Sequence, residues 1–239
     1  MTTALSVEAE VLAALATVLD PELDQPVTEL GFVRSVTIDD TGVQVHLRLP
    51  TSFCAPNFAY LMVSDAYDAL AGVPDVGQVR VFLDDHHDSD KINNGVADGY
   101  VATFGVEAED SLDELRRTFQ RKAHLAAMER CCRSVLSSGA WSIEELPLLE
   151  LFDLSEGHLK GALLRRREAL GLPVNSHARV LVDHDGVPIA ESDVALRLRL
   201  AAATRVSIEG NAHFCKGLLA TRYADTDHGT VVINTRSHP

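Results

Sequence analysis

The stretch Phe32-Val33-Arg34-Ser35-Val36-Thr37-Ile38-Asp39-Asp40-Thr41-Gly42-Val43-Gln44-Val45-His46-Leu47-Arg48-Leu49 decides the fold. From Val43 to Leu49 apolar and polar residues alternate without a break, which is the period of a half-buried strand. Phe32 to Ile38 is rich in β-branched residues, and Asp39-Asp40-Thr41-Gly42 carries turn chemistry. Together they predict a β-hairpin. Before it, Ser6 is placed to N-cap a helix with Glu8 and Glu10 near its positive end. Val7, Val11, Leu15 and Val18 follow at helical spacing until Asp20-Pro21 stops the helix. After the hairpin, Asn57 to Ala71 reads as a helix packed on it, and Val79-Arg80-Val81-Phe82-Leu83 as a further strand. A sheet of about three strands, covered by helices on one face, is the expected result.

Past residue 92 the pattern changes. Asn93 to Gly99 reads as turn and linker, and Ser111-Leu112-Asp113-Glu114 is a capping box ahead of a helix running to about Ser137. A second box, Ser142-Ile143-Glu144-Glu145, opens a short helix that Pro147 limits. Another helix covers roughly residues 156–170, with Gly171 as its C-cap. Asp185-Gly186 marks a hairpin within Arg179 to Ile189, and Thr230 to Asn234 reads as a closing strand. Leu196 to Leu200 alternates like a strand, but Ala201-Ala202-Ala203 tips the segment to helix. The fold class expected is therefore α+β. A small N-terminal α/β domain (1–92) and a linker (93–110) precede a mainly helical extension (111–239) with a short β-hairpin.

Composition narrows the function. At 239 residues and 46% hydrophobic, the chain can bury a real core. No apolar run approaches bilayer length, and no basic residue precedes an apolar run at the N-terminus, so neither a membrane partner nor a signal peptide is expected. Four irregularly spaced cysteines do not make a disulfide scaffold, which points to reduced thiols in the cytoplasm. Residues 1–100 hold 16 acidic against 4 basic side chains, whereas residues 101–239 hold 19 against 17. So acidic a first half repels phosphate backbones, and no nucleic-acid partner is expected there. No nucleophile–base pair and no paired carboxylates at a definable spacing can be read, so the protein is not expected to be an enzyme.

Asp20-Pro21-Glu22-Leu23, then Leu30-Gly31-Phe32-Val33, then a hairpin ending in Thr51-Ser52-Phe53-Cys54 with Pro56 beyond it, resemble the MIP18-like family, also called domain of unknown function 59. The resemblance covers roughly residues 5–92 and departs at Ala55, which stands between the Cys and the Pro that the family usually places side by side. It implies a small α/β protein of iron–sulfur cluster assembly or transfer, with Cys54 as the matching thiol. A thiolate is a soft ligand suited to iron–sulfur clusters. One thiolate cannot hold a cluster that wants about four protein ligands. Cys54 would need a second copy across a homodimer, the carboxylates of Asp20 and Glu22, or a partner's thiol. The bland readings are an inert buried cysteine and an Asx-Pro turn at Asp20.

Two further segments are dense in ligand types. Asp84-Asp85-His86-His87-Asp88-Ser89-Asp90 could bind a cation, although a solvated acidic loop is the simpler reading. His213 and Cys215 converge as a second metal position only if their backbone is extended, since on a helix they point about 200° apart. Cys131 and Cys132 lie about 100° apart on one helix and read as core thiols. The whole chain also resembles longer actinobacterial relatives that accompany multicomponent binuclear-iron monooxygenases. That likeness implies maturation of the oxygenase as client, with iron or an iron–sulfur cluster held transiently. The alternative is a metal-free adaptor that docks an oxygenase or chaperonin.

Overall fold

The hairpin is present in the computed structural model, which describes residues 6–96, 99–105, 112–224 and 229–236. Strands β1 (Leu19–Asp20) and β2 (Gln25–Pro26) form a small antiparallel pair that follows helix α1 (Val7–Leu15). Strands β3 (Val33–Ile38) and β4 (Gly42–Arg48) pair antiparallel, with Val36 opposite Val45 and Ile38 opposite Val43. A bulge between Val33 and Ser35 shifts the register, so Val33 and Val36, three apart, are both buried although strict alternation would separate them. Gly42 is required at the turn, because a Cβ there would lie 2.0 Å from the Gln78 carbonyl oxygen.

Helix α2 (Pro56–Ala71) crosses over to β5 (Gln78–Asp84), which runs parallel to β4. Ala59, Met62, Val63, Ala66 and Leu70 recur at helical spacing on α2 and are buried with Val43, Val45 and Leu47 of the sheet. The sheet has four strands in the order β5-β4-β3-β6 rather than about three. The fourth, β6 (Val231–Asn234), pairs parallel to β3 and comes from the C-terminal end of the chain. Helices α3 (Ser89–Gly95) and α4 (Tyr100–Phe104) occupy part of the expected linker. Asn93 both accepts from the Leu83 N–H at 2.7 Å and donates to the Leu83 carbonyl at 3.1 Å, which ties α3 to β5. Tyr60, Tyr100 and Phe104 form an aromatic cluster nearby.

The chain divides into two compact units, Met1–Leu112 with Asn211–Pro239, and Asp113–Gly210. This corrects the expected extension over 111–239, because its last part completes the first unit's sheet. The Ser111 box lies outside the described residues. In the second unit, α5 (Leu112–Ser137) and α6 (His158–Leu170) are joined by the N-terminal part of α7 (Val194–Arg222). Gly171 ends α6 in the left-handed region at φ +71°, as its C-cap role requires. The expected hairpin is reduced to one bridge, Val182 with Pro188, around a turn at Gly186. Met128, Cys131, Cys132, Leu149, Leu163 and Val180 are among the residues of this core. On the flank, Arg205 pairs with Glu129 and Glu209, each at 2.6 Å. Among the described residues no helix is long and apolar enough to cross a membrane.

His124 is buried in this second unit, and its Nε2 has no hydrogen-bond partner. Burial, reinforced by the charges of Arg167 and Arg166, pushes its pKa down to about 4. The unfolded chain therefore binds a proton that the folded one refuses, and stability falls as pH drops from about 6.5 to about 4. The loss from this group is expected to reach about 3 kcal/mol. Urea unfolding across that range should show the decline, and His124→Leu should flatten it.

Candidate metal centre around Cys54

Chain direction places Cys54 between a strand and a helix. After β4 ends at Arg48, Thr51 to Cys54 turns the chain, and Ala55 takes the N-cap position of α2 with Pro56 in its first turn. Proline suits that place because its missing N–H would be an orphan in any case. The inserted Ala55 is thus the cap itself: its carbonyl accepts from the N–H groups of Phe58 at 3.0 Å and Ala59 at 3.1 Å. Cys54 is half-buried, with Thr51 Oγ1 3.5 Å from its Sγ.

The loop is braced from two directions. His86 is buried, and the Asp88 N–H donates to its Nδ1 at 3.1 Å. That leaves the ring proton on Nε2, which donates to the Cys54 carbonyl at 2.8 Å. The His87 N–H donates to the Ser52 carbonyl at 2.9 Å. The Asp84–Asp90 segment is therefore a brace and the start of α3, not a cation loop. From the C-terminal part of α7, Arg222 donates to the Leu49 carbonyl at 3.0 Å, to Ser52 Oγ at 3.1 Å and to the Asp85 carbonyl. Tyr223 donates its hydroxyl to the Asp85 carboxylate at 3.1 Å.

This same helix end brings Cys215 to the site. Asn211, Cys215, Leu219 and Arg222 recur at four, four and three residues, so they share one face. Leu219 is buried, and Asn211 donates to the Glu22 carboxylate at 3.3 Å. Cys215 packs in the same apolar cluster as Cys54. Burial pushes its thiol up to about 11, and the negative charges of Asp20, Cys54 and Glu22 add to that. Four of the sequence candidates, Cys54, Cys215, Asp20 and Glu22, thus share one electrostatic neighbourhood. Asp20 also makes the expected turn, accepting from the N–H groups of Glu22 at 2.9 Å and Leu23 at 2.8 Å. Its carboxyl is raised to about 6, chiefly by burial.

His213 is not part of this group. Its segment is helical, which turns it away from Cys215 by about 200°, and it is exposed. The expected His213–Cys215 position is therefore not formed. Among the described residues no three His, Cys, Asp or Glu side chains are grouped tightly enough to hold a metal ion as they stand. The site offers two soft thiols and two hard carboxylates without a closed coordination shell. Sequence reasoning missed His86, Asn211 and Arg222 as supports, although His86 and Asn211 each stand in a run dense in reactive side chains.

Alkylation is expected to separate these thiols. Cys131 is buried and pushed up to about 11 by burial, and Cys132 is driven higher by burial and its neighbours' charges. Iodoacetamide labelling of the native protein, read by mass spectrometry, should modify Cys54 ahead of both. Glu22→Gln removes one negative charge beside Cys215 and should speed its labelling about two- to fivefold, in line with a pKa change of a fraction of a unit. Cys131 and Cys132 should not respond to that substitution.

Residues 8–81 match the family described as iron-sulfur cluster assembly protein. The "Iron-sulfur cluster carrier protein" of Mycobacterium leprae is 38% identical over 82 residues, 34% of this chain and 21% of that protein. The proteins of the same name from Mycobacterium bovis and Mycobacterium tuberculosis are each 39% identical over 77 residues, 32% of this chain and 20% of theirs. The chain thus spans about a fifth of the length of these curated relatives. No solved structure matches it. The N-terminal segment built around Cys54 is thus similar to the iron–sulfur cluster assembly family over residues 8–81.

Proposed function

We propose that this protein is a non-enzymatic carrier that binds iron or an iron–sulfur cluster weakly and passes it to a client metalloprotein. The observation that carries this reading is that Cys54 and Cys215 pack against one apolar cluster, with Asp20 and Glu22 in electrostatic reach of Cys215, within and against a segment similar to the assembly family. A cluster wants about four protein ligands. Two thiols from one chain satisfy half of that demand, and carboxylates, small thiols or the client's own cysteines would complete it. An incomplete ligand set favours transfer, because a client with more thiolates binds the cargo better. Cys215 would supply from the same chain a second thiol that a homodimer would otherwise supply.

The client we favour is a binuclear-iron monooxygenase, on the resemblance of the whole chain to relatives that accompany such enzymes. The second unit would select it. Its segment is nearly neutral beside the acidic N-terminal half, which suits protein contact.

Anaerobic reconstitution with iron and sulfide, followed by absorption spectroscopy and metal analysis, tests the carrier reading. Wild type should take up cluster, Cys54→Ser should lose most of it, Cys215→Ser should lose at least half, and Cys131→Ser should match wild type. Maturation of the oxygenase in cells should fail with Cys54→Ser. Full maturation by Cys54→Ser would instead make the protein a metal-free adaptor. Ending the chain near residue 105 is not a clean test of docking, because it also removes Cys215, Arg222 and β6.

A further inference from the structure

The second unit holds a cavity of about 140 Å³ whose lining includes Arg121, Lys122, His124, Asp183, His184 and Arg197. Its chemistry is at odds with the chain as a whole, which carries a net charge of −14. Elsewhere in this unit arginines find carboxylates: Arg130 meets Glu209, Arg179 meets Glu150, and Arg205 meets Glu129. Among the described residues Arg121 and Arg197 make no hydrogen bond and no close ion pair. Lys122 rests its ammonium group 4.4 Å from the centre of the Phe119 ring.

The acid in the lining does not neutralise this group. Asp183 Oδ1 accepts from the N–H groups of Asp185 and Val187, both at 2.9 Å, which fixes it in its own turn. The Arg197 charge reaches it only at a distance. His184 is 3.4 Å from Asp185. His124, held neutral by its burial, adds a polar ring without a charge. Three permanent cations against one carboxylate leave two positive charges uncompensated in a small concave space.

We propose that Arg121, Lys122 and Arg197 form a binding site for a phosphate group. Two guanidinium groups offer the paired N–H donors that match phosphate oxygens, and an ammonium adds a point charge. A phosphate carries about −1.5 to −2 at neutral pH, which balances the uncompensated charge. A single carboxylate would leave it half met. The volume suits one such group rather than a drug-sized ligand, whose pockets run from roughly 300 Å³ upward. This site lies in the second unit and does not depend on the carrier reading of Cys54.

Isothermal titration calorimetry of the full chain at fixed ionic strength tests it, with inorganic phosphate and phenyl phosphate as the two probes. Inorganic phosphate should bind at one saturable site, and Arg121→Ala and Arg197→Ala should each weaken it at least tenfold. Arg199→Ala, on α7 but outside the cavity lining, should bind as wild type does. If alanine lowers the melting temperature, Arg121→Gln and Arg197→Gln replace those variants with the same expectation. Phenyl phosphate binding equally well would assign the site to a phosphate on a larger molecule, and its exclusion would assign it to the free ion. Absence of saturable binding overturns the proposal, as does equal weakening by all three substitutions.

Discussion

One guanidinium group, that of Arg222, joins the turn after β4 to the segment after β5, which lie more than 30 residues apart in the chain. It donates to Leu49 after β4, to Ser52 in the Cys54 turn, and to Asp85 after β5. Charge-assisted bonds to carbonyl oxygens are stronger than neutral ones and are directional. Because Arg222 ends α7, these bonds fix where that helix end lies on the first unit. Two turns earlier on the same face stands Cys215, so a bond made at residue 222 settles where a thiol at residue 215 points. The Arg48 guanidinium, buried and 5.0 Å from the centre of the Tyr223 ring, adds packing at the same corner.

The site that results is open by construction. Asp20 spends its carboxylate oxygen on two backbone N–H groups, and Glu22 accepts from Asn211. These bonds hold the acids near the thiols while leaving them short of a metal cage. His86 acts through Cys54's own carbonyl, fixing the backbone that carries the thiol rather than reaching the thiol itself. Such support resembles the outer-shell hydrogen bonding of metal sites, where ligand orientation is set by groups that never touch the ion.

The second unit follows a different economy of charge. Its core places Cys131 and Cys132 among leucines and valines, and it also buries His124 and Arg167. Arg167 donates to the Arg179 carbonyl at 2.9 Å, yet its Nε has no partner. Burying polar groups incompletely paired costs stability.

Local pattern determined a good deal of this protein. The alternation from Val43 to Leu49, the turn at Gly42, the helix ending at Gly171 and the strand–helix junction at Cys54 are all formed, because each depends on neighbours within a few residues. The motif around Asp20, Gly31 and Cys54 likewise pointed to the family whose model matches residues 8–81, since its parts lie within one small domain. Pairing across long separations was not legible. The return of residues 211–239 to the first unit, the fourth strand, and the approach of Cys215 to Cys54 join segments more than 150 positions apart. No periodicity encodes which distant face a helix will meet. His213 shows the same limit in reverse: its proximity to Cys215 in sequence suggested a pair, and the helical twist separated them. Secondary structure is written in the spacing of side chains, while the site depends on which buried faces fit together, and only tertiary packing decides that.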